Sequence, residues 1–329
     1  MAPTHRVTGH RRQAGSLSYA EVGGQDHSRQ ARMRGITSLD GETKVVGVIG
    51  WPVKHSLSPP MQNAALAELG LNWVYVPFEV PPEQLAEAIE AVRALRLVGL
   101  NVTVPHKGGV AGLVDELGDS ARVLGAVNTV VNRDGHLAGH NTDGEGFLRS
   151  VQEAGETVRG RLVALIGAGG SARAVAYAVM RDGAARLIII NRTPERARQV
   201  ADLVRENTGG EVLAVPLDSA EAESAVREAE IVVDSTPCGM YPETEVPPVI
   251  PAEWLHEGQC VCDLVYTPRD TVLLRAARER GARTVEGSGM LVHQGAIALE
   301  LWTGMRAPVG VMREALLAAL AARQGAQVG

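Results

Sequence analysis

The most constraining stretch of this chain is an apolar run that breaks into glycines and restarts as a helix. Leu162-Val163-Ala164-Leu165-Ile166 passes directly into Gly167-Ala168-Gly169-Gly170-Ser171-Ala172, and a helical pattern then runs to Gly183. A second apolar run, Arg186 to Ile190, closes a strand–turn–helix–strand unit of about thirty residues. In such a turn Gly167 permits the tight bend and Gly169 lets a phosphate approach the backbone. The first amides of the helix, near Gly170 and Ser171, meet the phosphate charge. The spacing therefore predicts a nucleotide-phosphate site at the end of a parallel strand; a purely structural turn is the plainer alternative.

The next strand end decides which nucleotide. Sites for a cofactor with a free 2′-hydroxyl place an Asp or Glu there. This chain has Asn191-Arg192-Thr193, with Arg196 and Arg198 close behind. Guanidinium groups suit a 2′-phosphate, and no carboxylate is present to repel it. A solvated basic helix start would have the same composition. Together with the glycine turn, the pattern predicts a Rossmann-type domain over residues 144–289 that binds NADP. Further strands are expected at Glu211–Val215, Ile231–Asp234 and Cys260–Leu264.

The preceding segment, residues 43–143, also alternates strands with helices. Lys44–Gly50, Trp73–Val80 and Val98–Val104 read as strands; helices are expected from Ser58 to Leu69 and from Pro81 to about Leu97. This predicts a second α/β domain built on a parallel sheet. Helices at 290–323, broken near Pro308, are expected to return to it. Polar residues stand where its strands end, the place ligands occupy in open parallel sheets. Ser56 and Ser58 put two hydroxyls beside a helix start, suiting a carboxylate, although Ser58 would also serve as a helix N-cap. Asn101-Val102-Thr103-Val104-Pro105-His106-Lys107 delivers an ammonium at a strand end. Asn128 and Asp143 lie among glycines and small apolar residues, and Asp143 beside Lys107 would form an ion pair orienting the ammonium.

Composition removes several function classes. A net charge of −6 leaves no electrostatic footprint for nucleic acid. No run reaches the ~18 apolar residues of a membrane span. Three cysteines without framework spacing argue against a disulfide scaffold, and Cys260 and Cys262 read as buried small hydrophobes. No convincing metal-ligand set is present, and no Tyr-x-x-x-Lys pair. Residues 1–42 are polar, Arg-rich, acid-poor and aperiodic. They are expected to be a disordered leader dispensable for the fold, with Met33 as an internal initiator; a transit peptide is the alternative.

Seven blocks, in this order, resemble those of shikimate dehydrogenases. They are Gly50-x-Pro52-Val53-x-His55-Ser56-x-Ser58-Pro59, Asn101 to Lys107, Asn141-Thr142-Asp143-Gly144, Gly167 to Gly170, Asn191-Arg192-Thr193, Asp263-x-x-Tyr266-x-Pro268 and Gly289-Met290-Leu291-x-x-Gln294. The resemblance runs from about residue 44 to 323. It implies a cytoplasmic enzyme, monomer or homodimer, that reduces 3-dehydroshikimate with NADPH. It further implies that Ser56, Ser58 and Tyr266 hold the substrate carboxylate, and that Thr103, Asn128, Asp143 and Gln294 bind ring hydroxyls. Lys107 would be the acid/base, paired with Asp143. Gly167, Ala168, Gly169, Gly170, Ser171, Asn191, Arg192, Thr193, Arg196, Leu264 and Gly287 would surround the NADP. Two departures stand out: Asp234 where the family usually has Asn, and Met61-Gln62 where a histidine is frequent. A quinate/shikimate dehydrogenase and a non-catalytic NADP sensor are the rival readings; Asn191-Arg192-Thr193 opposes an NAD-preferring form, and retention of Lys107 and Asp143 opposes the sensor.

Overall fold

The computed structural model describes residues 39–328. Nearly all of the expected leader, Met33 included, lies outside the described residues. The first described residues are tied to the fold. Asn72 donates to Asp40 Oδ1 at 2.9 Å, and Thr43 donates to Asn72 Oδ1 at 2.8 Å.

The described residues form two six-stranded sheets. The first contains β1 (Lys44–Gly50), β2 (Trp73–Glu79), β3 (Gly99–Val102), β4 (Glu116–Leu117), β5 (Thr129–Arg133) and β6 (His136–His140), in the order β2-β1-β3-β5-β6-β4. Its helices are α1 (Ser58–Glu68), α2 (Leu85–Ala94), α3 (Lys107–Val110) and α4 (Asp119–Leu124), and α5 (Asp143–Glu153) leads away from it. The second contains β7 (Leu162–Ile166), β8 (Arg186–Asn191), β9 (Val212–Pro216), β10 (Ile231–Asp234), β11 (Cys260–Asp263) and β12 (Arg283–Glu286), in the order β12-β11-β10-β7-β8-β9. Helices α6 (Gly170–Arg181), α7 (Pro194–Thr208), α8 (Ala220–Glu228) and α9 (Val272–Glu279) cover it; α10 (Gly287–Thr303) and α11 (Val309–Val328) complete the chain.

The second sheet is parallel throughout. Its inner strands β7, β8, β10 and β11 are mostly apolar and buried because both faces are covered. Along β7, Val163 and Leu165 enter one core while Ala164 and Ile166 enter the other. Strand order reverses between β7 and β10, so the glycine turn after β7 opens at the topological switch point. Cys260 and Cys262 are buried in β11, as small hydrophobes should be.

The first sheet is rich in parallel pairs, as expected, with one strand reversed. Its β2-β1-β3 core is parallel, but β5 runs antiparallel to β3 and to β6. A two-residue hairpin at Asp134-Gly135, both with positive φ, of 53° and 93°, sets the antiparallel pairing of β5 with β6. Asp-Gly between alternating residues is a strong hairpin signal that the motif-based reading passed over. The C-terminal helices return as expected. Val292, Ala296, Leu299 and Trp302 of α10 join Met312, Leu316 and Leu320 of α11 in the core beside β1.

Candidate active site

Backbone turns at the ends of β1, β3 and β7 aim side chains into one space. Thr103 follows β3, and its methyl lies where a side chain at Gly50 would be; a Cβ there would meet it at 2.5 Å. Glycine at the end of β1 is thus required for Thr103 to face inward. After the proline, buried His106 fixes the turn through Nε2 to the Val80 carbonyl at 2.7 Å, and Lys107 starts α3.

Lys107 Nζ donates to Asp143 Oδ2 at 2.6 Å. The ammonium side chain keeps 25% of its surface while the carboxylate keeps 8%, so the pair has one open side. Asp143 is the first residue of α5, and its other oxygen accepts from Asn128 Nδ2 at 2.7 Å. Asn128 is pinned in turn: its Oδ1 accepts from the Thr142 amide at 2.9 Å, and its Nδ2 also donates to Thr142 Oγ1 at 3.0 Å. The close approach of α5 to α10 needs Gly146, where a Cβ would meet Gln294 N at 2.7 Å. Thr142 Oγ1 donates to the Gln294 carbonyl at 3.1 Å, tying the Asp143 loop to α10.

Eight of the expected substrate and catalytic side chains line one cavity of about 460 Å³. Ser56, Ser58, Thr103, Lys107, Asn128, Asp143, Tyr266 and Gln294 share it with Ser171, Leu264 and Gly287 of the cofactor set. Ser58 is not a helix cap. The N-cap of α1 is Leu57, and Ser56 Oγ accepts from the Ser58 amide at 3.2 Å. Burial pushes the Tyr266 hydroxyl above its usual pKa, against the pull of the Arg323 charge. Gly287 sits where a Cβ would strike the Leu264 carbonyl at 2.4 Å, which fixes α10 against the end of β11.

A second cavity, of about 500 Å³, is lined by Ala168, Gly169, Gly170, Arg173, Arg196, Gln199 and Val200. Gly169 is the N-cap of α6 and offers no side-chain cap, so the first amides of that helix remain donors. No atom lies within 4 Å of where a side chain at Gly169 or Gly170 would stand. Uncapped amides, open space above two glycines and two guanidinium groups fit a dinucleotide phosphate and its 2′-phosphate. Gly167 serves the turn itself, with φ of 106° and Ser235 packed against it.

Asn191, Arg192 and Thr193 line neither cavity. Asn191 Nδ2 donates to the Thr193 carbonyl at 2.9 Å, and Arg192 is exposed beside the loop. Arg173 was missed in the sequence. Its signal was a cation in the first turn of the helix after the glycines, where a solvent-facing residue gives the same pattern. Met240 and Asn101 were also missed; both line the first cavity. Asp234 sits buried at the end of β10, in register with buried Asp263 of β11. Burial, reinforced by the Asp263 charge, pushes Asp234 up to about 7.

Comparison with known proteins follows the same division. Models of the shikimate dehydrogenase substrate binding domain, shikimate / quinate 5-dehydrogenase and the shikimate 5′-dehydrogenase C-terminal domain match residues 48–130, 149–242 and 287–317. The shikimate dehydrogenase (NADP(+)) of Methanopyrus kandleri is 52% identical over 283 residues, covering 85% of this chain and 97% of its own. That of Symbiobacterium thermophilum is 50% identical, covering 85% and 96%. Among solved structures, a shikimate dehydrogenase in complex with NADP+ has a TM-score of 0.81 at 40% identity, covering 86% of this chain and 97% of that one. The Thermus thermophilus enzyme, in complex with NADP(H) and shikimate, has 0.76 at 37%, covering 84% and 99%. With half the residues shared across nearly the full length of such relatives, this chain belongs to the shikimate dehydrogenase family.

Proposed function

We infer that this protein is an NADP-dependent oxidoreductase that interconverts 3-dehydroshikimate and shikimate, serving chorismate and aromatic amino acid biosynthesis. The observation that carries this reading is the single cavity holding the Lys107–Asp143 pair, the two serines and the edge of the glycine-turn domain. Bound at the second sheet, NADP supplies the hydride acceptor, or NADPH the donor. The protein's part is to hold the ring and move a proton. Ser56, Ser58 and Tyr266 take the carboxylate; Thr103, Asn128 and Gln294 orient the hydroxyls. Lys107 Nζ gives its proton to the oxygen that becomes an alkoxide during reduction, and takes one back in the reverse direction. Asp143, fixed by Asn128, keeps that ammonium aimed at the open side of the pair.

Recognition of the cofactor falls to Gly169, Gly170 and Ser171 at the phosphates and to Arg196, Arg173 and Arg192 at the 2′-phosphate. Its place, on this reading, is the cytoplasm, as a monomer or homodimer. Among the described residues no helix is long and apolar enough to cross a membrane. The test is an absorbance assay of NADP reduction with shikimate, run beside quinate and beside NAD. Turnover with shikimate and NADP is expected. Binding of NADP without turnover would return the chain to the sensor reading.

A further inference from the structure

The carboxylate receptor is electrically incomplete as its own residues build it. Ser56, Ser58 and Tyr266 are neutral. Helix α1 contributes little, because its first turn carries Pro59 and Pro60, which have no N–H, and the Ser58 amide is engaged by Ser56 Oγ. The helix-terminus amides that usually complete an anion site are therefore missing here. Nearby Lys54 is exposed and paired with Glu79 at 3.4 Å, and Lys107 is paired with Asp143.

One cation reaches this loop from elsewhere. Arg323, near the end of α11, donates from Nη1 to the His55 carbonyl at 2.7 Å and from Nη2 to the Ser56 carbonyl at 3.1 Å. Among the described residues its hydrogen bonds go to carbonyls rather than to a carboxylate, so no described group neutralises its charge there. That charge is felt at Tyr266, where it opposes the effect of burial. A fork spanning two successive carbonyls fixes the loop on which Ser56 stands, and places positive potential behind the receptor.

We propose that Arg323 is a positioning residue for the substrate carboxylate, clamping the His55–Ser56 loop and supplying the positive charge that the neutral receptor lacks. The proposal rests on the assignment of Ser56, Ser58 and Tyr266 to the carboxylate. It makes the C-terminal helix part of substrate recognition, although no described side chain of α11 lines the cavity.

The test compares Arg323→Gln and Arg323→Lys with the unaltered protein, using shikimate, its uncharged methyl ester and NADP. Arg323→Gln is expected to raise KM for shikimate about tenfold, the loss of one charge-assisted contact. Its kcat and KM for NADP should hold, and most of the preference for the acid over the ester should vanish. Arg323→Lys retains the charge without the two-pronged geometry and should recover part of that preference. If Arg323→Gln fails to fold, Arg323→Lys carries the comparison and should show an intermediate loss of preference. A KM for shikimate within twofold of the unaltered protein, an unchanged acid-over-ester preference, or equal changes in both substrates' KM values overturns the proposal. Ser56→Ala with Ser58→Ala separates the two failures. If that pair raises KM for shikimate while Arg323 variants do not, only the arginine's role falls; if neither matters, the carboxylate assignment itself is wrong.

Discussion

At the scale of single residues, the proposed chemistry rests on a lysine whose ammonium is held but not enclosed. Asp143 is fixed on its far oxygen by Asn128, so the near oxygen presents one direction to Lys107. Removing the ammonium should leave the ring contacts in place and the proton without a carrier. Lys107→Ala is expected to lower kcat by about 10²–10⁴ while shikimate affinity, measured by titration, changes little. A variant with near-normal kcat would remove Lys107 from the reaction. Cofactor choice is also a residue-scale matter. Arg192, Arg196 and Arg173 surround the helix starts after β7 and β8 without a carboxylate at the end of β8. Arg192→Asp is expected to raise KM for NADP far more than KM for NAD. Equal effects on both cofactors would assign the 2′-phosphate to Arg173 and Arg196 alone.

At the scale of elements, the ends of β10 and β11 carry an unusual load. Asp234 and Asp263 are in-register partners on adjacent parallel strands, and both are buried. Burial raises Asp263 to about 6 and, with the Asp263 charge added, Asp234 to about 7, from an ordinary 3.8. A carboxyl whose folded pKa is raised binds more protons in the folded state than in the unfolded chain. Its contribution to stability is complete below the unfolded pKa and is lost as the pH rises through the folded value. Stability should therefore decline across this window, from near 4 to near 7. Asp234→Asn keeps an oxygen to accept the Thr236 amide, bonded at 2.7 Å, and removes the charge. The variant is expected to show a flatter Tm profile from about pH 4 to about pH 7 and a higher Tm at the alkaline end. A profile parallel to that of the unaltered protein would show that Asp234 does not titrate there.

At the scale of the whole molecule, α10 joins the two halves. It begins against β11 at Gly287, meets α5 at Gly146 and ends inside the first core at Trp302. Trp302 is 2% exposed, and its Nε1 donates to the Val130 carbonyl at 2.9 Å. It packs beside Tyr75, with ring centroids 6.1 Å apart, over the bare backbone of Gly99. Trp302→Ala leaves a void and removes that hydrogen bond, so a loss of about 3–5 kcal/mol is expected on denaturant unfolding. Because α10 carries Gln294, KM for shikimate should rise as well. A loss below about 1 kcal/mol would mean that the helix is held mainly by its contacts elsewhere.

What the chain alone determined is whatever depends on local order. The strand-to-glycine turn, the basic residues after β8, the strand-end lysine and the apolar strands of the second sheet are set by neighbours a few residues apart, and each was legible. The antiparallel pairing of β5 with β6 was present as Asp134-Gly135, but a two-residue turn weighs little beside a longer strand–helix pattern. Only the tertiary structure decided the rest. Asn128, Asp143 and Lys107 are spread over 36 residues, and their contact depends on a hairpin, a helix start and a strand end converging. Arg173 and Arg196 line one cavity because parallel strands place two helix starts side by side, an arrangement made across the sheet rather than along the chain. Arg323 lies 267 residues from Ser56, and no local pattern links a helix near the C-terminus to a loop after the first strand. Such contacts form when buried apolar faces bring distant segments together, so their partners are selected by packing and not by sequence spacing.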